Sequence, residues 1–141
     1  MERSAGAVIF RKEAGKIFYL LLRYPARTGR AKREYWDFPK GHINSGETIE
    51  DTVKREVQEE TGLTDIEFTE GFQLKIRYYL TKNQQKILKT VVFLLAEAKT
   101  KNIKISDEHT GFQWLPYEEA LKRLVFKNAK NILEKADSVL K

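Results

Sequence analysis

The sequence GHINSGETIEDTVKREVQEETGL, residues 41–63, joins a glycine-containing loop to the most clearly helical segment of the chain. Thr48 is a favourable N-cap, because its hydroxyl can accept a hydrogen bond from the first helical turn. The apolar residues that follow recur every four positions: Ile49, Val53 and Val57. Gly62 stands where a left-handed C-terminal cap is expected. The pattern predicts an amphipathic helix over residues 48–61.

Three carboxylates share one face of this predicted helix. They are Glu56, Glu59 and Glu60, spaced three and four residues apart. Like charges at this spacing repel by about 0.2–0.5 kcal/mol per pair, and the helix dipole disfavours them near the C-terminus. Arg55 can offset part of this repulsion by pairing with Glu59. The remaining negative charge favours a cation, and oxygen ligands suit Mg²⁺ or Mn²⁺.

The fixed positions of this stretch match the signature of the Nudix superfamily. They are Gly41, Glu47, Arg55-Glu56, Val57, Glu59-Glu60, Gly62 and Leu63. The chain therefore resembles a Nudix hydrolase, and this interpretation outweighs the alternative of a merely solvated acidic helix face. The resemblance implies one Nudix domain over residues 1–141, with α/β (α+β) structure: an α/β/α sandwich around a mixed sheet. It also implies hydrolysis of a nucleoside diphosphate linked to another group.

The same resemblance gives roles to residues of the loop and helix. The implied metal is Mg²⁺, which Mn²⁺ can replace. It is held by the carboxylates of Glu56, Glu59 and Glu60 and by the backbone carbonyl of Lys40. Glu47 reaches back to Arg55 and fixes the loop against the helix. One carboxylate accepts the proton of the attacking water, and Glu56 is favoured for this role. The predicted catalytic residues are Glu47, Arg55, Glu56 and Glu59.

Features outside the signature resemble one branch of the family, the asymmetrical diadenosine tetraphosphate hydrolases. The aromatic lead-in YWDFPKGHINSGE, residues 35–47, is similar to that of the branch. Tyr78 lies 15 residues after Leu63, close to the place of an adenine-stacking tyrosine. Phe112, within EHTGFQW at residues 108–114, takes the place of a second aromatic. The resemblance implies a dinucleoside polyphosphate as substrate, with one adenine held between Tyr78 and Phe112.

Further site residues follow from the same branch. Lys89 opens the stretch KTVVFLLAEA and resembles a phosphate-binding lysine, and Glu108 is predicted as a metal ligand from outside the signature. Gly41 lets the loop backbone approach phosphate closely. His42 and His109 are predicted as phosphate contacts or loop hydrogen-bonding residues. Purely structural roles stay open as alternatives for Tyr78, Phe112, Glu108 and Lys89.

Composition narrows the classes of function. The chain has 141 residues, with 26 Lys plus Arg against 20 Asp plus Glu and a net charge of +6. It has no cysteine, which excludes a disulfide scaffold, a thiolate nucleophile and any Cys-based metal site. No apolar run approaches the roughly 20 residues that cross a bilayer, and the N-terminus lacks the apolar core of a signal peptide. We expect a cytoplasmic protein without a membrane partner, either a monomer or a weak homodimer.

Other functions compete with tetraphosphate hydrolysis. An RNA 5′-end pyrophosphohydrolase ranks second, because it shares the architecture of the branch and a charge of +6 suits RNA. ADP-ribose hydrolases typically carry a proline roughly 15 residues after the signature, and no proline stands there, since the prolines here are Pro25, Pro39 and Pro116. A nucleotide sensor without activity is expected to lack a signature carboxylate, and all are present. The basic loop of residues 23–33 either steers the substrate or is a solvated surface loop.

The remaining pattern predicts a mixture of strands and helices without regular alternation. The strands are Ser4–Phe10, Ile17–Arg23, a hairpin of Phe68–Leu80 and Lys89–Ala98 around the polar Thr81–Lys86, and Phe112–Leu115. Pro116 is expected at the first position of a helix. A final helix over Asn128–Leu140 is expected to turn three residues inward: Ile132, Ala136 and Val139.

Overall fold

The computed structural model describes residues 2–26 and 33–141. Within these residues it has eight strands and three helices: β1 Glu2–Glu13, β2 Lys16–Tyr24, β3 Tyr35–Asp37, β4 Lys40–His42, α1 Ile49–Thr61, β5 Glu67–Phe68, β6 Leu74–Lys82, β7 Gln85–Glu97, β8 Gly111–Pro116, α2 Tyr117–Arg123 and α3 Lys127–Leu140. None of these helices is long and apolar enough to cross a membrane. Most of the basic loop of residues 23–33, for which substrate steering and a solvated surface loop are both open, lies outside the described residues.

The described strands form one mixed sheet in which a short insert separates two long strands. β1 lies parallel to β7 and antiparallel to its other neighbours. Phe10–Glu13 of β1 pairs with β2, whereas Ser4–Gly6 of β1 pairs with β4. β2 in turn pairs with β3 at Leu22–Tyr24. The β3–β4 segment, residues 35–42, therefore lies between β1 and β2 and brings the chain that precedes α1 into the middle of the sheet.

Apolar residues cover both faces of this sheet. On one face, α1 packs Val53 and Val57 into a cluster that includes Leu22 of β2. On the other face, α2 and α3 pack on a second cluster, which includes Leu133. Helices thus enclose the sheet from both sides, and the predicted α/β/α sandwich with a mixed central sheet is confirmed.

Helix α1 is capped at both ends, by side chains at its N-terminus and by the backbone of Gly62 at its C-terminus. The Thr48 hydroxyl accepts a hydrogen bond from the Asp51 N–H (3.0 Å), and the Asp51 carboxylate accepts one from the Thr48 N–H (3.2 Å). At the other end, Gly62 takes a left-handed conformation with φ of 80° and donates its N–H to the carbonyl of Gln58. The predicted helix and both of its caps are confirmed. The register of its polar face is therefore set by residues within the signature itself.

The hairpin is tighter than predicted. The expected polar loop over residues 81–86 is wrong, because β6 and β7 continue to Lys82 and Gln85. Only Asn83 and Gln84 form the turn, with φ values of 52° and 65°. Two positive φ angles are the requirement of a two-residue hairpin turn, which matches the twist of the flanking strands. Phe68 also lies outside the hairpin, in the separate strand β5.

The last helix also differs from the prediction. Ile132 and Ala136 are buried as expected, but Val139 is 55% exposed. The Tyr19 hydroxyl donates a hydrogen bond of 2.6 Å to the buried carboxylate of Asp137. Because residues two apart point to nearly opposite sides of a helix, this contact turns Val139 toward solvent. Pro116 is the N-cap of α2 rather than its first residue, so that helix begins one residue later than predicted.

Candidate active site

Arg55 ties the β4–α1 loop to the helix. Its Nε donates to Glu47 Oε2 at 2.7 Å and its Nη2 donates to Glu47 Oε1 at 3.0 Å, which is the contact predicted from the sequence. The same Nη2 donates to the carbonyl of His42 at 2.9 Å. Glu47 Oε1 also accepts from the Asn44 N–H and the Thr52 hydroxyl. The hydrogen bonds from Arg55 and Asn44 lower the pKa of Glu47 to about 2, so the carboxylate stays charged.

Glu56 lies between Arg55 and the backbone of Gly41. Arg55 Nη1 donates to Glu56 Oε1 at 2.7 Å and approaches Glu59 Oε1 at 3.4 Å, so the expected pair with Glu59 is present. A Cβ at position 41 would collide with the Glu56 carboxylate, so a larger residue there would force the Glu56 side chain to move. Burial raises the pKa of Glu56, although its hydrogen bond with Arg55 acts in the opposite direction.

Glu60 is the most deeply buried carboxylate of α1, with its side chain 5% exposed. Its Oε1 lies 3.4 Å from His109 Nε2, and the backbone of Lys40 also faces the carboxylate. Within the described residues, neither Glu60 Oε2 nor His109 Nε2 makes a regular hydrogen bond. Burial raises the pKa of Glu60, while the facing His109 ring lowers it and the nearby Glu108 raises it further. A buried carboxylate with one unsatisfied oxygen results.

The donor chemistry of these carboxylates fits a hard divalent cation. Across residues 2–26 and 33–141, no three His, Asp or Glu side chains are grouped closely enough to hold an ion as they stand. The reason is that Glu56 is turned toward Arg55, Glu60 faces His109, and Glu59 is 58% exposed. All three nevertheless offer oxygen ligands from neighbouring turns, and Glu60 Oε2 makes no regular hydrogen bond within the part of the chain that the structure describes. Oxygen ligands of this kind suit Mg²⁺ or Mn²⁺.

A cavity of about 780 Å³ opens on the face of the sheet that carries α3, and Lys40, whose backbone faces Glu60, is part of its lining. Tyr78 of β6 and Phe126, the N-cap of α3, both line it. Asp37 and Lys40 line the same cavity and form an ion pair of 3.3 Å. The apolar lining of the cavity comes from β6, β7 and α3: Ile76, Leu80, Phe93, Ala129 and Ile132.

The structure does not bring Phe112 to Tyr78. Tyr78 packs on the core beneath α2 and α3. Phe112 pairs with Leu22, whose side chain lies in the core beneath α1, so Phe112 is on the opposite face of the sheet. β8 and β6 also pair with different strands, β2 and β7. The predicted clamp is therefore not formed, and Phe126, not Phe112, is an aromatic that lines the cavity together with Tyr78.

Phe126 and Asp37 are site residues that the sequence interpretation missed. Phe126 stands between two predicted helices, where an aromatic is usually a packing residue, and nothing in the spacing connects it to Tyr78. Asp37 lies within the aromatic lead-in and was available as a polar residue among apolar ones. It is 3% exposed, and its Oδ1 accepts the Phe38 N–H.

The other predicted residues divide into exposed and enclosed groups. His42 is exposed on β4, and Glu108 is exposed near Glu60. Lys89 is half-buried and lies beside Tyr78 in the register of β6 and β7. His109, predicted as a phosphate contact or loop hydrogen-bonding residue, has a side chain with no exposed surface. Its ring therefore does not face the open cavity.

A family model described as the NUDIX domain matches residues 1–136. The chain belongs to the Nudix family. This Nudix chain is 35% identical to the asymmetrical bis(5′-nucleosyl)-tetraphosphatase of Mus musculus, over 98% of the chain and 95% of the mouse protein. It is 31% identical to the Caenorhabditis elegans protein of the same name, over 98% of the chain and 96% of that protein.

Solved structures of Nudix proteins share the fold. A C. elegans Ap4A hydrolase in a binary complex matches with a TM-score of 0.83 and 29% identity, over 99% of this chain and 98% of that one. The NUDIX domain of Shewanella oneidensis NrtR, solved with ADP-ribose, matches with a TM-score of 0.74 at 19% identity, over 100% and 89% of the two chains, which shows a common fold alone. The predicted resemblance to the asymmetrical hydrolases is confirmed, and this Nudix chain is a hydrolase.

Proposed function

We propose that this Nudix hydrolase cleaves a dinucleoside tetraphosphate asymmetrically, so that diadenosine tetraphosphate and water yield ATP and AMP. One observation carries the proposal: Lys40 belongs to both parts of the site. Its side chain lines the cavity, and its backbone faces the Glu60 carboxylate. A nucleoside in the cavity would therefore have its phosphates beside the carboxylates of α1. The names of the mouse and C. elegans relatives support the same substrate.

The cavity has the size and lining of a nucleoside site. Its volume of about 780 Å³ falls within the range of small-molecule pockets. Tyr78 and Phe126 offer aromatic surfaces to a base, and stacking of this kind contributes about 1–3 kcal/mol per base. This arrangement replaces the adenine clamp of Tyr78 with Phe112 that the sequence suggested.

Positive groups near the cavity suit a chain of phosphates. A tetraphosphate bridge carries about four negative charges, which Lys40 and Lys89 would face from β4 and β7, while the exposed His42 of β4 would offer a hydrogen bond. Mg²⁺ or Mn²⁺ would be held by Glu56, Glu59 and Glu60 with the Lys40 backbone, and Glu108 lies near enough to assist. When bound, such an ion neutralises phosphate charge and acidifies water.

Residues of the chain then accept the proton of the attacking water and fix the geometry of the site. The oxygen of water bonds to a phosphorus, the anhydride P–O bond breaks, and a carboxylate accepts the proton of the water. Glu56 is our choice for that carboxylate, because burial raises its pKa and thus its basicity. Arg55 and Glu47 hold the loop so that the glycine backbone at position 41 lies directly against Glu56.

Product analysis tests the proposal. The protein is incubated with diadenosine tetraphosphate and Mg²⁺ in water enriched in heavy oxygen, and the products are separated by anion-exchange chromatography. We expect equal amounts of ATP and AMP, with the label identifying the phosphorus attacked. ADP as the sole product would contradict asymmetric cleavage. No turnover, together with pyrophosphate release from triphosphorylated RNA, would favour the RNA 5′-end activity instead.

A further inference from the structure

A short turn before β8 holds His109 in one orientation. The His109 N–H donates to the carbonyl of Ser106 at 3.2 Å and closes the turn. The Ser106 Oγ accepts the Glu108 N–H at 3.3 Å and lies 3.0 Å from His109 Nδ1. Nε2 on the opposite side of the ring faces a carboxylate oxygen of Glu60, which can only accept a hydrogen bond. The geometry therefore favours the tautomer in which Nε2 carries the hydrogen and the Ser106 hydroxyl donates to Nδ1.

The Nε2 edge of the His109 ring faces Glu60. Nε2 lies 3.4 Å from Glu60 Oε1. The two side chains are 0% and 5% exposed, so both are enclosed by protein atoms. The ring is also held from the side, since Tyr24 packs edge-on with ring centroids 4.6 Å apart. The Tyr24 hydroxyl in turn donates to the carbonyl of Phe38 at 2.7 Å. His109 therefore has little freedom to turn away from Glu60.

We propose that Ser106 and His109 position the Glu60 carboxylate for a divalent cation, and that His109 is a positioning residue without contact to the substrate. The inference rests on the metal site put forward under the proposed function. It adds a role for two residues that lie outside the signature. Ser106 sets the tautomer, His109 fixes the carboxylate, and the second carboxylate oxygen is left free for the ion.

The position of the His109 ring is suited to this role. Arg55 beside Glu56 brings a full positive charge, which competes with a cation for that carboxylate. The enclosed His109 ring instead faces one oxygen of Glu60 and restricts the rotation of that side chain. The carboxylate that is most deeply buried is thereby kept attractive to an ion. Partners of this kind behind metal-binding carboxylates typically contribute about 10–100-fold to metal affinity.

Calorimetric titration of the full chain with Mn²⁺ tests this role. We expect His109→Leu to weaken Mn²⁺ binding by about 10–100-fold, since it removes the donor to Glu60. His109→Gln keeps an N–H at the same reach, and we expect its affinity within about threefold of the unaltered chain. Ser106→Ala should weaken binding severalfold, whereas Ser138→Ala, on the exposed side of α3, serves as the matched control. In the His109→Gln background, Ser106→Ala should have no further effect, because an amide has no tautomer to set.

Kinetics separate positioning from substrate contact. Because the His109 ring is enclosed, we expect His109→Leu to lower kcat and leave the KM for diadenosine tetraphosphate nearly unchanged. Unchanged Mn²⁺ affinity in a folded His109→Leu variant would overturn the positioning role alone. A His109→Gln variant as weak as His109→Leu would overturn it as well, and this comparison remains if His109→Leu does not fold. An unaltered chain that binds no Mn²⁺ would overturn the metal site itself.

Discussion

The two sides of the β3–β4 segment are held together in different ways. On the α1 side, charged contacts within one loop–helix unit fix the positions of the carboxylates. A single side chain, Arg55, donates hydrogen bonds to Glu47, Glu56 and the His42 carbonyl. On the α3 side, the cavity is bounded by residues from distant parts of the chain, among them Tyr78 and Phe126. Substitutions on the first side should therefore affect turnover, whereas those on the second should affect substrate affinity.

The largest expected effect is on the α1 side, at Glu56. Glu56→Gln preserves the shape of the side chain against Gly41 but removes its charge and its capacity to accept a proton. We expect kcat in the product assay to fall by about 10²–10⁴-fold, with a smaller change in KM. Glu50→Gln, exposed on the first turn of the same helix, is the matched control. Equal turnover in Glu56→Gln and the unaltered chain would remove Glu56 from the catalytic group.

Metal addition probes the same side through stability. An ion that binds only the folded state at about 100 times its Kd stabilises it by about 2.7 kcal/mol. For a chain of this size, that corresponds to a rise in Tm of roughly 5–12 °C. We expect such a rise with Mg²⁺, and a much smaller one in Glu60→Gln, when Tm is followed at constant ionic strength. The same rise in both proteins would place the binding site away from Glu60.

On the α3 side, the pair Phe126 and Phe112 gives a direct test of substrate recognition. Phe126→Ala removes an aromatic wall of the cavity, and loss of about 1–3 kcal/mol of stacking predicts a KM increase of about 5–150-fold. Phe112→Ala, on the other face of the sheet, should change KM by less than about twofold. Phe126→Tyr keeps the ring and controls for its packing against Tyr35. A larger effect at Phe112 would restore the clamp expected from the sequence.

The α1 side could be predicted from the sequence because its contacts are local. Glu47 and Arg55 lie eight residues apart within the signature, and the resemblance to the Nudix family implies their contact. The N-cap at Thr48 and the left-handed Gly62 follow from residue types alone. The carboxylate-bearing face of α1 can therefore be identified with little knowledge of how the rest of the chain packs.

The cavity could not be predicted in the same way, because sheet order decides which residues meet. Strand periodicity correctly separates Tyr78 from the 65% exposed Tyr79, but it does not tell on which edge of the sheet β8 lies. Phe112 has a suitable position in the sequence and the wrong face in the structure. The length of the hairpin loop was overestimated for a related reason. Polar residues at the exposed ends of two paired strands have the same composition as a loop. Only the register of the strands distinguishes the two.

A contact distant in sequence also anchors the helix that walls the cavity. Tyr19 on β2 donates a hydrogen bond to Asp137 on α3, across 118 positions of the chain. Tyr19→Phe removes this bond while keeping the ring in the core. Because Asp137 retains its ion pair with Lys141, we expect a modest loss of about 0.5–1.5 kcal/mol in the free energy of unfolding by urea at pH 7.

The pH dependence of that loss has a defined sign. Burial, together with the hydrogen bond to Asp137, raises the pKa of Tyr19 above its usual value of about 10. The contribution of Tyr19 is therefore fully present below about pH 10. Above this pH the unfolded chain releases the phenolic proton and the folded chain keeps it, so stability falls relative to Tyr19→Phe by about 1.4 kcal/mol per pH unit. Urea unfolding of both proteins from pH 7 to 11 measures this difference. A difference that stays constant or grows in favour of the unaltered chain above pH 10 would mean that Asp137 does not hold the Tyr19 proton, and that apolar packing alone anchors α3.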